Sequence, residues 1–301
     1  MTRRGFSLIE LVVVIAILGL LVGLVLAGTA AVRQAAARAQ CQARLAQLSM
    51  ACHGYAAIHG TLPSGITYPY ATTDREHPGI SWPSLLLPHL EQAPLWAEVE
   101  AAHRFDPTAT TTERHIRIAE RSLSVFRCPA DPRPFGSNPF IPAERGEALP
   151  WGLLNYPGVA GTRLQANNGV FHPSLRVTLL SITDGTSNTL MIGERPSGPH
   201  GFDSAWYANW AMLSPFPAQL LPVTRGVIKA SSDVARCSPP PSAFFRGTPD
   251  DACDVGHHWS MHSGGSNFAF ADGHVRFLRY SAADILPALA TRAGGETVSV
   301  E

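Results

Sequence analysis

The amino-acid sequence predicts an α+β fold in which one long N-terminal helix projects from a body of short, mostly antiparallel strands and short helices. Three observations support this prediction. The apolar residues 11–27 lead directly into a segment without proline that continues to residue 59. The 25 prolines and 26 glycines lie mostly beyond residue 60, which favours short strands and turns over a helical bundle. Asp272-Gly273 lies between alternating apolar residues, which is a strong hairpin signal.

The N-terminal helix is predicted to extend from about Phe6 to His59 in two parts. Residues 6–29 are apolar on nearly all sides, whereas residues 30–59 carry an apolar stripe at the helical period. The stripe consists of Cys41, Leu45, Leu48, Cys52 and Tyr55. Gly60 predicts the end of the helix. At 1.5 Å per residue the helix is about 80 Å long, so we expect the first part to span a membrane and the second to pack on the body.

The body, residues 60–301, is predicted to consist of short elements. Helices are expected at Trp82–Glu91, opened by Pro83 and interrupted at Pro88, and at Pro94–His103. The expected strands are Ser122–Arg127, Gly152–Thr162, Gly169–Phe171, Thr189–Gly193 and Val223–Ile228. A hairpin with a two-residue turn is expected within residues 262–278, followed by short helices that begin near Ser281 and Pro287.

The charge balance excludes a nucleic-acid partner. The chain carries 23 basic and 23 acidic residues and has no net charge. Nucleic-acid binding domains present a basic surface that neutralises phosphates. We therefore expect no nucleic acid among the partners.

The five cysteines permit disulfides if the body lies outside the cytoplasm. Cys41 and Cys52 cannot pair on one straight helix, because their separation along the axis is about 16 Å and the Cα limit for a disulfide is roughly 7 Å. Cys237 and Cys253 lie in a proline-rich region and are the favoured pair. Cys128 has two open alternatives, a disulfide with Cys41 or a buried thiol. No spacing of cysteines and histidines resembles a zinc site.

The N-terminus, RRGFSLIE followed by an apolar run, resembles the type IV prepilin signal. In that family a membrane peptidase cleaves between the positions that match Gly5 and Phe6, and the new N-terminus is methylated. The resemblance implies a leader of residues 1–5. It also accounts for Glu10, since a carboxylate within an apolar membrane segment is unfavourable by roughly 3 kcal/mol. A cleaved Sec signal peptide and an ordinary membrane anchor remain as alternatives.

Several further segments extend the resemblance over nearly the whole chain. They include GISWPSLLLPHLEQ, FRCPADP, NYPGVAGT, SITDGTSNTLMIGER and HSGGSNFAFADGHVRFL. Together they resemble a large family of prepilin-like proteins that is abundant in planctomycete-type bacteria. Its members carry a domain of unknown function and a C-terminal H-x9-DG motif, which His262 and Asp272-Gly273 match. The resemblance implies a pseudopilin-like role in a type II secretion or type IV pilus-like system.

Asp184, Ser187 and Asn188 form a candidate calcium-type loop. Calcium binds oxygen ligands from carboxylates, carbonyls and amides, and some pseudopilins bind calcium in the globular domain. The alternative is a plain turn in which Asp and Asn side chains bond their own backbone. Calcium is the one cofactor that the sequence suggests.

The H-x9-DG residues admit two interpretations. His262 and Asp272 are candidates for a catalytic His–Asp pair, but no G-x-S-x-G elbow accompanies them. The simpler interpretation is structural, with Asp272 and Gly273 forming the hairpin turn and His262 tying the Gly264-Gly265 loop to the hairpin. His257-His258 together with His262 is a further, minor candidate for a transition metal.

We therefore expect a structural and interaction protein, not an enzyme. Its single membrane pass would lie in the cytoplasmic (inner) membrane, with the body in the periplasm or at the cell surface. The expected partners are a prepilin peptidase/methyltransferase and other pilin-like subunits. Glu10 is expected to pair with the amine of Phe6 in a neighbouring subunit, because a partnered buried charge selects register. A membrane-tethered binding module that does not polymerise and an exported hydrolase remain as alternatives.

Overall fold

A computed structural model describes residues 7–65, 80–105, 112–133, 152–162, 167–171, 176–198, 206–207, 244–251, 254, 256–296 and 298. The helices in these ranges are α1 (Leu8–His59), α2 (Trp82–Leu85), α3 (Ala93–Phe105), α4 (Glu113–Ala119) and α5 (Leu286–Leu289). The strands are β1 (Leu190–Gly193), β2 (Gly265–Phe270) and β3 (Val275–Arg279). The predicted α+β fold is therefore confirmed, with one long helix, a small antiparallel sheet and several short helices.

Helix α1 contains 52 residues and is about 78 Å long. It ends at Gly60, whose φ of +73° is left-handed and whose N–H donates to the carbonyl of Ala56 at 2.8 Å. Glycine adopts this conformation without the steric penalty of a Cβ. The predicted stop is confirmed, and the predicted start at Phe6 lies outside the described residues.

The apolar stripe of α1 forms one wall of the main core. Cys41, Leu45, Leu48 and Cys52 are fully buried, and Tyr55 packs against the same cluster. Short helices cover this wall: α2, a 3-10 turn at Leu87–Leu90, and α3. The predicted helix Trp82–Glu91 is interrupted, but at Leu86 and not at Pro88, which lies within the 3-10 turn. The predicted helix at 94–103 corresponds to α3.

The three strands form an antiparallel sheet in the order β1-β2-β3. Phe268 lies opposite Gly193 of β1 and Arg276 of β3. The sheet separates two clusters of buried side chains. Ala269 and Val275 contact the main core beside α1, whereas Phe268 contacts a second core with α5.

The hairpin between β2 and β3 is confirmed, but its predicted two-residue turn is wrong. Phe270 N–H donates to the His274 carbonyl at 2.9 Å, and Gly273 N–H donates to the Phe270 carbonyl at 3.0 Å. The loop therefore contains three residues, 271–273, and Gly273 has a φ of +99°. A turn followed by a left-handed glycine is the usual three-residue hairpin connection.

Several predicted strands differ from the structure. Residues 124–126 form a 3-10 turn instead of a strand, because Phe126 N–H bonds the carbonyl of Leu123, three residues earlier, and not a neighbouring strand. Residues 152–162 contribute an isolated bridge, Gly158 to Ile192. Residues 169–171 form no strand. The predicted strand at 223–228 lies outside the described residues.

Candidate functional site

The first half of α1 exposes apolar side chains on every side. The large apolar residues from Leu8 to Leu26 leave between 46% and 78% of their surface exposed. Among the described residues, α1 is the one helix long and apolar enough to cross a membrane. Because burial of apolar surface is strongly favourable, this segment requires a lipid or protein environment that the described part of the chain does not provide.

Glu10 has a local partner within its own helix. Its Oε2 accepts a hydrogen bond from the backbone N–H of Ser7 at 2.8 Å. Ser7 is the N-cap of α1 and Glu10 is the third helical residue, so this is the carboxylate half of a capping box. The Ser-x-x-Glu spacing signals this role, which comes in addition to the assembly role that the sequence predicts for Glu10.

Three glycines lie along the exposed part of α1. A Cβ built on Gly19, Gly23 or Gly28 would meet no other atom within 4 Å. Glycine within a helix is less favourable than alanine by about 1 kcal/mol, and no contact among the described residues explains why glycine occurs at these positions. Small residues at membrane helix surfaces allow close approach of another helix.

Helix α1 is fastened to the body by covalent and polar contacts near residue 41. Cys41 and Cys128 form a disulfide with a Cα–Cα distance of 5.5 Å. This settles the alternatives for Cys128 in favour of Cys41. The neighbouring Gln42 donates from Nε2 to Oδ1 of Asn267 on β2 at 3.0 Å. The predicted pair Cys237–Cys253 lies outside the described residues.

A buried polar cluster surrounds this disulfide. Cys41, Cys128, Glu194 and His262 each bring one ligand-type atom within 4.8 Å of the others, and all four are buried. The Nε2 atom of His262 lies 3.7 Å from the Cys128 sulfur and 3.3 Å from Glu194 Oε1. We call these four residues the Cys-His-Glu cluster.

The Glu194 carboxylate is held in position by donors from β2. Its Oε2 accepts from the backbone N–H of Asn267 at 2.7 Å, and its Oε1 accepts from Asn267 Nδ2 at 3.0 Å. Ser266 Oγ lies 3.4 Å from Oε2. Buried carboxylates require such bonds, because desolvation strongly disfavours an unpaired charge. The carboxylate that faces the cluster is therefore rigidly oriented.

A groove of about 660 Å³ runs between α1 and the body, and His262 lines it. Three arginines also line it, namely Arg33, Arg38 and Arg246. The guanidinium carbon of Arg38 lies 3.5 Å from the centroid of the Phe277 ring. One edge of the Cys-His-Glu cluster thus faces a positively charged groove.

Asp184 of the predicted calcium-type loop serves as an anchor for the C-terminal segment. Its carboxylate accepts from the backbone N–H groups of Gly294 at 2.6 Å and Gly295 at 2.9 Å. Asn188 N–H donates to the Gly185 carbonyl at 3.0 Å, which closes a turn. These bonds give Asp184 and Asn188 structural roles, and calcium binding together with Ser187 stays a prediction.

The residues of the predicted H-x9-DG motif have separate partners. Asp272 Oδ1 lies 2.6 Å from Nδ1 of His274 and accepts from the His274 backbone N–H at 3.1 Å, while Gly273 occupies the left-handed turn position. His262 instead joins the Cys-His-Glu cluster. These contacts support the structural interpretation of Asp272 and Gly273.

His258 lies beside strands β1 and β2. It is buried, and its ring centroid is 5.4 Å from that of Phe268. A Cβ on Gly193 would approach the imidazole to 2.5 Å. Burial lowers the pKa of His258 to about 3, and the positive charge of Arg195 acts in the same direction. The imidazole is therefore neutral at physiological pH.

The comparisons with known proteins identify first a class and then a family. Residues 1–26 match the prokaryotic N-terminal methylation motif, so the chain is prepilin-like. That motif implies processing by a prepilin peptidase and pilin-like assembly. Gly5 and Phe6, where cleavage is predicted, lie outside the described residues. Residues 30–284 match the family described as "Protein of unknown function (DUF1559)", and the chain belongs to this family. No curated protein and no solved structure matches the chain.

Proposed function

We propose that the protein is a non-enzymatic, pseudopilin-like subunit of a type II secretion or type IV pilus-like assembly. It would be cleaved after Gly5, methylated on Phe6 and held in the inner membrane by the first half of α1. Its body would lie in the periplasm or at the cell surface. The observation that carries the proposal is the continuity of α1, whose exposed apolar half joins a half packed on the body without a break.

Glu10 would have two consecutive roles in this proposal. In the single chain its carboxylate caps the helix at Ser7. In the assembly, it would also accept a bond from the cationic amine of Phe6 in a neighbouring subunit. Removing one partner of a buried ion pair is unfavourable by about 3–5 kcal/mol, and an assembly repeats that contact at every subunit. Gly19 and Gly23 would allow the neighbouring helices to approach closely.

The two roles of Glu10 can be separated by two substitutions. Glu10→Gln keeps the capping acceptor but removes the charge, whereas Glu10→Val removes both. We expect both variants to be inserted and cleaved, since removal of a charge makes insertion easier. Assembly, measured by chemical crosslinking in membranes, should fall strongly for the valine variant and to a lesser extent for the glutamine variant.

Intact-mass analysis provides the control for processing. Each variant should lack residues 1–5 and carry one methyl group on Phe6, and Glu113→Val on the exposed face of α4 should crosslink as the wild type does. If Glu10→Gln crosslinks as the wild type does, the charge of Glu10 is not needed for assembly and its role is limited to capping the helix. Wild-type crosslinking of Glu10→Val as well would reject its assembly role and favour a tethered binding module.

The tethered module is the second candidate because one feature of the body suits ligand binding. The groove beside α1 has a volume of about 660 Å³ and is lined by Arg33, Arg38 and Arg246. Such a groove would suit an anionic ligand near the membrane surface. In that case the chain would remain monomeric in crosslinking experiments, although its leader would still be removed.

A further inference from the structure

We propose that reduction of the disulfide converts the Cys-His-Glu cluster into a binding site for a zinc-class divalent metal ion. The four ligands would be Cys41, Cys128, Glu194 and His262. Two thiolates, one imidazole and one carboxylate form a ligand set of the type that zinc takes in a tetrahedral arrangement. This site is independent of the proposed assembly function.

The distances within the cluster fit this geometry. Zinc bonds of about 2.0–2.3 Å separate tetrahedral ligand atoms by roughly 3.3–3.8 Å. The His262 Nε2 atom lies 3.7 Å from the Cys128 sulfur and 3.3 Å from Glu194 Oε1. The sulfur of Cys41 is also within 4.8 Å of the other ligand atoms. The two sulfur atoms, which are bonded to each other in the disulfide, must move apart, and rotation of the two cysteine side chains can provide this.

A dithiol can serve as the reductant for this disulfide. The dithiol transfers two electrons and two protons to the S–S bond of Cys41 and Cys128 and is itself oxidised to a disulfide. The two protein thiols then lose their protons to water as they bind the metal ion. The oxidised chain has no thiolates at this position and cannot form the site.

The surroundings already supply the second layer of contacts that metal sites require. Asn267 orients the Glu194 carboxylate through its backbone N–H and its amide. Asn155 accepts a bond from the backbone N–H of Cys128 at 2.8 Å. Such outer contacts orient metal ligands, and their removal typically weakens metal binding 10- to 100-fold.

The groove gives the cluster both access and charge compensation. His262 lines the groove, so an ion can reach the imidazole edge from solvent. A zinc ion with two thiolates and one carboxylate has a net charge of −1. Arg33, Arg38 and Arg246 line the same groove and complement this charge.

The test uses the full chain in detergent micelles, reduced with a phosphine under anaerobic conditions and then desalted. Cobalt(II) serves as the spectroscopic probe, followed by competition with zinc. We expect one cobalt per reduced chain, with a thiolate-to-cobalt charge-transfer band, and no such band for the oxidised chain. His262→Ala and Glu194→Gln should each weaken binding at least tenfold, and Asn267→Ala about 10- to 100-fold.

Two controls make the result specific. His274→Ala alters a histidine on the hairpin turn and should leave the cobalt affinity unchanged. Cys52, Cys237 and Cys253 remain present in the His262 and Glu194 variants, so binding at those thiols would persist in them. The proposal is overturned if the reduced wild type binds no cobalt, or if both ligand variants bind it as tightly as the wild type. Loss of the near-ultraviolet circular dichroism on reduction, without recovery on adding zinc, also overturns it.

Discussion

The two halves of α1 have the same secondary structure but opposite surroundings. Between Leu8 and Leu26 the large apolar side chains are all exposed, whereas Cys41, Leu45 and Leu48 are completely buried. The first half contains apolar residues all round, and the second contains them on one stripe. A stripe can be buried by one body, but a helix that is apolar on every side requires lipid or several helices around it. The second half of α1 therefore contributes to the folded core, whereas the first half needs an environment outside the chain.

The packed half should be highly sensitive to a single charge. Leu48→Asp introduces a carboxylate into the main core without a partner and should reduce the free energy of unfolding by about 4 kcal/mol or more. The matched control is Met50→Asp, because Met50 is on the same helix and is 65% exposed. Surface substitutions usually change stability by less than about 0.5 kcal/mol. Urea denaturation of both variants in one detergent measures the difference, and equal stabilities would mean that residues 41–55 do not pack on the body.

The body, unlike the exposed half, contains a buried histidine that should make stability depend on pH. The pKa of His258 is about 3 in the folded chain, and its ordinary value is about 6.5. As the pH falls from about 6.5 towards 3, the unfolded chain binds a proton that the folded chain does not bind, so stability decreases. His258→Gln removes this proton uptake. The loss of stability between pH 7 and pH 4 should be smaller in this variant by up to about 3 kcal/mol.

The measurement for His258 is urea denaturation at a series of pH values. Met50→Gln serves as the control, since Met50 is exposed on α1 and its replacement removes no titratable group, so this variant should retain the wild-type pH dependence. An identical pH dependence in wild type and His258→Gln would show that His258 binds its proton as readily in the folded chain as in the unfolded one.

The smallest effect on the free energy of unfolding is expected from deletion of the first 29 residues, although this is the largest change to the sequence. A chain that starts at residue 30 lacks most of the exposed half but keeps every buried residue of α1. Its free energy of unfolding should equal that of the full chain within about 0.5 kcal/mol, since the described large apolar residues among those deleted are all exposed. Urea denaturation in the same detergent tests this. A loss of more than about 1 kcal/mol would contradict the separation of the two halves.

The features that were predictable from the sequence depend on neighbours along the chain. The stripe from Cys41 to Tyr55 follows from the helical period, and Gly60 ends the helix through its own backbone conformation. Local patterns did not predict every strand correctly, because a strand forms only where its backbone finds a hydrogen-bonding partner distant in the chain. Residues 122–127 alternate as a strand does, but Phe126 forms a 3-10 turn because its backbone N–H bonds within the segment.

The Cys-His-Glu cluster is visible only in the tertiary structure. Cys41 and Cys128 are 87 residues apart, and Cys128 is 134 residues from His262, so no local spacing signals the site. Glu194 stands next to the end of β1, and the pairing of β1 with β2 brings its carboxylate to Asn267. The long helix, its apolar half, its packed stripe and the hairpin were predictable from the sequence, because they follow from the chemistry of adjacent residues. The packing of α1 against the sheet decides which distant side chains meet near Cys41. Only that packing brings the four buried groups together.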